Sequence, residues 1–400
     1  MNIFLGIIIG LFSLMLLVIL HELGHFIAAR RNGVKVNEFG IGFPPRAVAW
    51  VKGNDGKWHR LKKTDWKKPQ KSLILSLNWL PIGGFCAMEG ESDADTRPHT
   101  FGAATFWQKT KILFAGVAMN WLVAVIIFTI LAWIGMPQFL PNQFAASDTT
   151  YSGDSAVYIL SVAENSPAST AGLKKDDQIL RANDVEIKDV ATLDRIIKEN
   201  PDKDVIYEIS REGEDVSSVL VHQNPEGSDY LLGISMGQTE IYSYSTWTAP
   251  LVGLGTTMEL TGETFRGLGE LVGNLFSGLG RLLSSDQSTR ESGEKALESV
   301  GESVSGPVGI LGVLFPAFAD SGISNILFLV ALISISLACM NVLPFIPALD
   351  GGRWLLIAIF RLLKKPLEKK LEEKIVSIAM YIILGLAVLI TILDITKIAQ

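Results

Sequence analysis

Five residues near the start of the chain, His21, Glu22, Leu23, Gly24 and His25, have the types and the spacing to do chemistry. On a helix, residues four apart lie one above the other on one face, so His21 and His25 can present two imidazoles to one metal ion. Glu22, beside them, can act as general base toward a metal-activated water. A second candidate lies far along the chain. Asp350 is the only carboxylate between Asp320 and Glu368, in the run Asn341-Val342-Leu343-Pro344-Phe345-Ile346-Pro347-Ala348-Leu349-Asp350-Gly351-Gly352. A lone carboxylate at the end of an apolar run is costly unless paired or metal-bound. H-E-x-x-H also needs a third protein ligand if a fourth position is left for water. Asp350 is therefore the expected third ligand; its alternative role is a helix cap or turn residue.

The elements that must position these groups are apolar helices. Four stretches are long enough to span a bilayer: Ile3–Ala29, Ile112–Gly135, Ile323–Leu343 and Ile375–Leu393. The first has no basic segment before it and no small-residue cleavage pattern after it, so it reads as a retained helix. It brings three ionisable groups to the end of an apolar span, which by default marks a functional site. The chain is 48% hydrophobic, with a mean hydropathy of +0.32, in keeping with a membrane protein. The net charge is −6, and no nucleic-acid partner is expected. Cys86 and Cys339 are far apart and form no metal-binding pair, so both read as buried free thiols.

Charge sets an orientation. Between Arg30 and Lys71 twelve lysines and arginines are opposed only by Glu38, Asp55 and Asp65. The stretch after Leu343 is basic too, while Met136 to Asp320 is acidic. The positive-inside rule then puts both basic stretches in the cytoplasm, and the acidic segment and both termini outside. His21 and His25 fall toward the cytoplasmic end of their helix.

Between the helices, Arg46–Val51 and Lys57–Leu61 alternate around Gly53-Asn54-Asp55-Gly56 and read as a hairpin. Leu73–Met88, with Gly83, Gly84 and Phe85, is apolar but too short and broken to span. It is either a re-entrant hairpin offering a strand edge to a peptide or an amphipathic loop on the membrane surface. Asn120, inside the second span, can bond another helix or line a cavity. Ser155–Gln223 reads as a compact unit with strands at Val157–Val162, Asp204–Arg211 and Val216–Val221 and a helix at Val190–Lys198. Thr248–Leu283 is amphipathic and helical, and Ser284–Ser303 has the composition of a flexible segment. Arg361–Lys374 is a basic amphipathic stretch suited to an anionic leaflet.

Together these blocks resemble the site-2 protease family, whose bacterial RseP/RasP-type members are intramembrane zinc metalloproteases. His21–His25 and Leu349-Asp350-Gly351 carry the resemblance. Asn37–Phe43, Leu80–Phe85 with Met88, Gly90 and Glu91, Ala115-Gly116 with Asn120, and Gly306–Ile310 match in order, so it covers nearly the whole chain. The resemblance implies Zn²⁺ on His21, His25 and Asp350, Glu22 as catalytic base, and Asn341 holding the substrate backbone. It makes Gly83, Gly84 and Phe85 part of a substrate-pairing hairpin and Ser155–Gln223 a single PDZ domain. Two departures stand out: Val117 replaces a usual proline, and one extra residue between Pro344 and Pro347 shifts Asn341 relative to Asp350.

The expected fold is a polytopic α-helical membrane protein with four transmembrane helices, a membrane-associated β-hairpin and an inserted PDZ-like α+β domain. Its segments are helix one (1–29), a cytoplasmic β-rich and hairpin region (30–105), helix two (106–135), the PDZ-like unit (155–223) and an amphipathic, flexible segment (245–310). Helix three with its L-D-G motif (321–352), the basic segment (353–374) and helix four (375–397) follow. The expected activity is hydrolysis of peptide bonds in or near the transmembrane segments of single-span membrane proteins in a bacterial inner membrane. Anti-sigma factors and signal-peptide remnants are the substrate types the resemblance implies. A zinc-binding scaffold working through its PDZ domain is the alternative, but it has no need of Glu22. A metal transporter would carry ligands on helices two and four, where none are found.

Overall fold

The computed structural model describes residues 3–53, 55–66, 72–140, 142–153, 156–163, 165–211, 215–223, 230–238, 241–282, 284, 286–303 and 306–399. Asn54 of the expected hairpin turn, Lys67, Lys68 and Lys71 of the basic run, Ser155, residues 212–214 and Ser305 lie outside them.

The chain opens with helix α1 (Ile3–Arg31), followed by strands β1 (Val36–Lys52), β2 (Trp58–Arg60) and β3 (Ile74–Met88) and helix α2 (Phe106–Ile134). Next come β4 (Met136–Pro137), β5 (Thr150–Ser152), β6 (Val157–Val162), α3 (Pro167–Ala171), β7 (Gln178–Ala182), β8 (Val185–Glu186) and α4 (Val190–Glu199). Strands β9 (Asp204–Ser210), β10 (Ser217–His222), β11 (Ile234–Gln238) and β12 (Tyr242–Tyr244) follow. Helices α5 (Ala249–Leu282), α6 (Gln287–Ser303) and α7 (Pro307–Gly309) lead through a π turn at Ile310–Leu314 into α8 (Phe315–Asp320). The chain ends in α9 (Ile323–Val342), α10 (Asp350–Leu362) and α11 (Lys369–Ala399). Among the described residues, α1, α2, α9 and α11 are the four helices long and apolar enough to cross a membrane.

The chain forms two compact units. One comprises residues 1–134, 144–147 and 246–400, the other 135–143 and 148–245. In the first, small residues let the helices approach closely, as apolar helices without a hydrophobic drive between them require. Gly6 and Gly10 of α1 lie against Pro316 and Phe315, and Gly24 lies against the Ala115 carbonyl of α2. Phe128 of α2 meets Phe328 of α9 edge-on at 5.5 Å, and Ser334 Oγ donates to the Asn120 carbonyl at 2.8 Å.

Strands β1 and β3 each fold back on themselves. Residues 36–41 lie between the two arms of β3: Glu38 is opposite Ala87 on one side and Ile74 on the other. Residues 46–51 pair with the outer side of 74–78, with Trp50 opposite Leu75, and β2 closes that end of the sheet. Leu75 and Leu77 are thus interior, each opposite residues from both arms of β1. Among the described residues the second arm of β3 forms the edge opposite β2, with Gly84 opposite Ile41 and Cys86 opposite Phe39.

In the second unit a sheet runs in the order β10-β9-β7-β6-β11 over a core that includes Val157, Ile159, Ile179, Leu193, Val205 and Tyr207. The sheet does not close at Gln223, as the sequence suggests: β11 adds beside β6, with Ile234 opposite Val162, and the unit extends to Ser245. Helix α6 occupies the stretch whose composition suggests flexibility. Leu297 of α6 packs on Gly278 of α5, so tertiary packing overrides a weak local preference. Helix α11 begins six residues before the apolar run, and Glu372 in its first turn is buried.

Candidate metal centre

A residue's position in a continuous helix fixes which neighbours it can face. His21 and His25 follow one another by one turn on α1 and are both buried. Their rings meet edge-on with centroids 4.7 Å apart. Asp350, the first residue of α10, brings its carboxylate to the same point. His21 Nε2 and His25 Nε2 are 3.1 Å apart, and Asp350 Oδ2 lies 3.2 Å from the first and 3.4 Å from the second. Glu22 completes the cluster with ligand-type atoms of His21, Glu22 and His25 within 4.8 Å of one another. The Cys86 backbone N–H faces the Glu22 carboxyl, so the open edge of β3 runs along this side of the site.

The other ring nitrogens decide the chemistry. His25 Nδ1–H donates to the Ile112 carbonyl at 2.8 Å, which leaves a lone pair on Nε2. Asn120 stands 3.3 Å from His21 Nδ1 through its amide nitrogen, and its amide oxygen is buried without a partner. Exchanging the two amide atoms keeps the shape of the side chain. The oxygen then accepts from His21 Nδ1–H, and His21 too keeps a lone pair on Nε2. Two nitrogen lone pairs and a carboxylate oxygen with no hydrogen-bond donor then converge on one point. Such a set repels itself unless a cation lies between its members. Tetrahedral zinc with bonds of about 2.0–2.2 Å sets its ligand atoms about 3.3–3.6 Å apart, within a few tenths of an ångström of the observed separations.

The family model described as peptidase family M50 matches residues 9–386. The chain belongs to peptidase family M50. This peptidase is also 30% identical to a protein of Clostridium perfringens named as a zinc metalloprotease, over 97% of this chain and 98% of that one. It is 27% identical to a second of that name in Nostoc, over 96% and 94% of the two chains. A protein of Enterococcus faecalis named as the protease Eep is 24% identical over 96% of each. The M50 peptidase is therefore a zinc metalloprotease of the site-2 protease type, and the donor set of this chain fits its metal.

Space at the centre is set by glycine. A Cβ on Gly116 of α2 would lie 2.5 Å from His25 Nε2 and 2.7 Å from His21 Nε2, so this position admits no side chain without moving the imidazoles. On the polar side, a cavity of about 860 Å³ is lined by Met88, Glu91, Asp350, Arg353, Glu372 and Val376, among others.

The remaining expected site residues divide. Gly83 and Gly84 lie against Val18 and Ile19 of α1, within one turn of His21, and Phe85 lies against Gly40. Asn341 stands in the last turn of α9, and its amide donates to the Leu337 carbonyl of its own helix at 3.0 Å. Arg353 and Glu372, on the cavity wall, were not singled out by sequence. The available signal was Arg353 lying one helical turn after Asp350.

Proposed function

We propose that this M50 peptidase cuts single-span membrane proteins within or near their transmembrane segments, in a bacterial inner membrane. His21, His25 and Asp350 hold the metal and Glu22 is the general base. The carrying observation is the convergence of three donor atoms within 3.1–3.4 Å at one end of a helix of membrane-spanning length. Zinc bound there supplies Lewis-acid chemistry, polarising a carbonyl and making a water acidic enough to attack. Glu22 takes the proton of the attacking water and passes it to the leaving amine. Asn120 and the Ile112 carbonyl keep the imidazoles turned toward the metal. The polar cavity beside Asp350 is the route for water, reached from the cytoplasmic side that the basic segments mark.

A helical substrate has its carbonyls locked in i→i−4 bonds and must unwind before attack. Adding a strand along the edge arm of β3 at Gly84 would replace lost backbone bonds. The pairing site is this arm, because Leu75 and Leu77 are already paired on both sides. Proline there would disturb the sheet itself. A cleaner test is an N-methylated backbone amide in a substrate peptide, which removes one donor without touching the enzyme.

We infer that the second unit serves as a PDZ-type domain. Among the described residues β11 ends the sheet, and a chain end would add there as a further strand. The turn after α3 offers no groove: Gly172 caps α3 with φ +87°, and Leu173 is buried in the core. We favour the domain as a size filter, excluding substrates with bulky outer domains. Removing residues 148–245 would then admit an untrimmed substrate, whereas end capture predicts that the deletion and a β11 variant both abolish cleavage.

The decisive experiment on the core reading is Glu22→Gln in the full chain. Zinc content should stay at the wild-type level while cleavage of a membrane substrate falls below detection. Retained cleavage would exclude Glu22 as the base, and full zinc in Asp350→Ala would exclude Asp350 as a ligand.

A further inference from the structure

Helix α11 makes little apolar contact with the protein, and none of its most apolar stretch is buried. Its first turn nevertheless buries a carboxylate: Glu372 is 4% exposed. Burying a carboxylate is costly unless donors surround it, and Glu372 collects three. Its Oε2 accepts from Ser92 Oγ at 2.9 Å and from the Asp93 N–H at 2.9 Å. Its Oε1 lies 3.5 Å from Arg353 Nη2.

Each partner leads to a functional element. Arg353 is on the first turn of α10, three residues from Asp350. Its guanidinium also donates to the Glu91 carbonyl and lies 4.9 Å from the ring centroid of fully buried Phe101. Ser92 and Asp93 belong to the loop that leaves the open arm of β3. Glu91 in that loop accepts from the Met88 N–H at 2.9 Å, and Asp93 is ion-paired to buried Lys109 of α2. One carboxylate therefore ties the helix carrying Asp350 to the end of the strand edge, across the polar cavity that opens on both.

We infer that Glu372 is a positioning residue for the metal centre. Through Arg353 it fixes the turn that presents Asp350, and through Ser92 and Asp93 it fixes the outgoing end of the β3 edge. This rests on the reading of Asp350 as a metal ligand.

The test uses the full chain in detergent, with zinc release to a chelator and kcat and KM for a membrane substrate as readouts. Glu372→Ala should release zinc at least tenfold faster and lower kcat more than tenfold. Glu372→Gln, which can still accept from Ser92 and Asp93, should fall between Ala and wild type. Asp394→Ala breaks the other attachment of α11, about 33 Å away at 1.5 Å per residue, and should leave zinc release unchanged. Wild-type release and kcat in Glu372→Ala would overturn the inference. Equal acceleration by Asp394→Ala would also overturn it, because the effect would then be general loosening of α11. If Asp350→Ala itself releases zinc at the wild-type rate, the ligand reading fails, and that outcome is distinct from either.

Discussion

Half of the most apolar stretch of α9 is buried within the protein, and none of that of α11 is. Helix α9 is held along its length: Phe328 meets Phe128, Ser334 bonds α2, and Ala331, Ala338 and Cys339 are buried. Helix α11 is held at its ends. Glu372 anchors one, and at the other Asp394 accepts from the Gly306 N–H at 3.1 Å and the Gly309 N–H at 2.8 Å. Lipid is as apolar as leucine, so apolarity alone does not pull two such helices together. Close fit holds α9 and directional polar bonds hold α11. The continuously packed helix leads directly into the turn that presents Asp350.

The largest effect should come from the end of α9. Asp350→Ala removes one of three donors and the only carboxylate among them, so both zinc content and cleavage should fall to near background, measured by metal analysis and substrate assay. A variant with full zinc would break the link between the packed helix and the centre.

Next in size is Asn120, the α2 residue whose backbone carbonyl is bonded to α9. Losing an outer partner of a metal-bound histidine typically costs about 10–100-fold in metal affinity. Asn120→Leu should lose that much in a chelator competition, and Asn120→Asp, which keeps an acceptor for His21 Nδ1–H, should retain most of it.

The second unit shows a third way of holding a carboxylate. Asp177 is fully buried and paired with Arg211, whose Nε lies 2.6 Å from Oδ1. Burial would raise the Asp177 carboxyl, but the Arg211 guanidinium and the Lys174 N–H outweigh it and hold it below the usual carboxylate range. A depressed carboxyl stabilises the fold fully above its unfolded value of about 3.9. That stabilisation is lost as pH falls through the lower folded value. Arg211→Ala should cost about 2–4 kcal/mol at pH 7, toward the low side for a buried pair because the guanidinium is partly solvated. Calorimetry of the full chain should show the gap between variant and wild type closing below pH 4.

Much of this was legible in the sequence. His21, Glu22 and His25 share one helix, so their spacing alone fixes their geometry. Asp350 was found because a single carboxylate in an apolar context is conspicuous. The four spans follow from apolar length, and β6 from a short run of β-forming residues. The doubled path of β1 and β3 was not legible, because nothing local in Ile74–Met88 states which arm faces outward. Strand β11 was missed because its five residues, Ile234–Gln238, carry little periodic signal. Asn341 was placed by analogy alone, since an asparagine at the end of an apolar helix carries no signal of its own. Glu372 looked like one more charge in a basic stretch; only the partners brought from Ser92 and Arg353 distinguish it.

The smallest effect expected is also the most direct measure of the contrast between α9 and α11. Ala331 of α9 is fully buried, and Gly385 of α11 has nothing within 4 Å of where a Cβ would stand. Leucine at either position adds apolar bulk that lipid accepts, so hydropathy predicts no difference between them. Packing predicts one. Ala331→Leu forces methylenes into a filled contact between α9 and its neighbours and should cost about 1–3 kcal/mol, with a matching fall in thermal midpoint. Gly385→Leu meets no protein and should stay within about 0.5 kcal/mol of wild type, or gain slightly from better helix propensity. Equal losses at the two sites would mean that α11 is packed against something in the membrane, either a second copy of the chain or another protein. Cross-linking from position 385 would then separate those two.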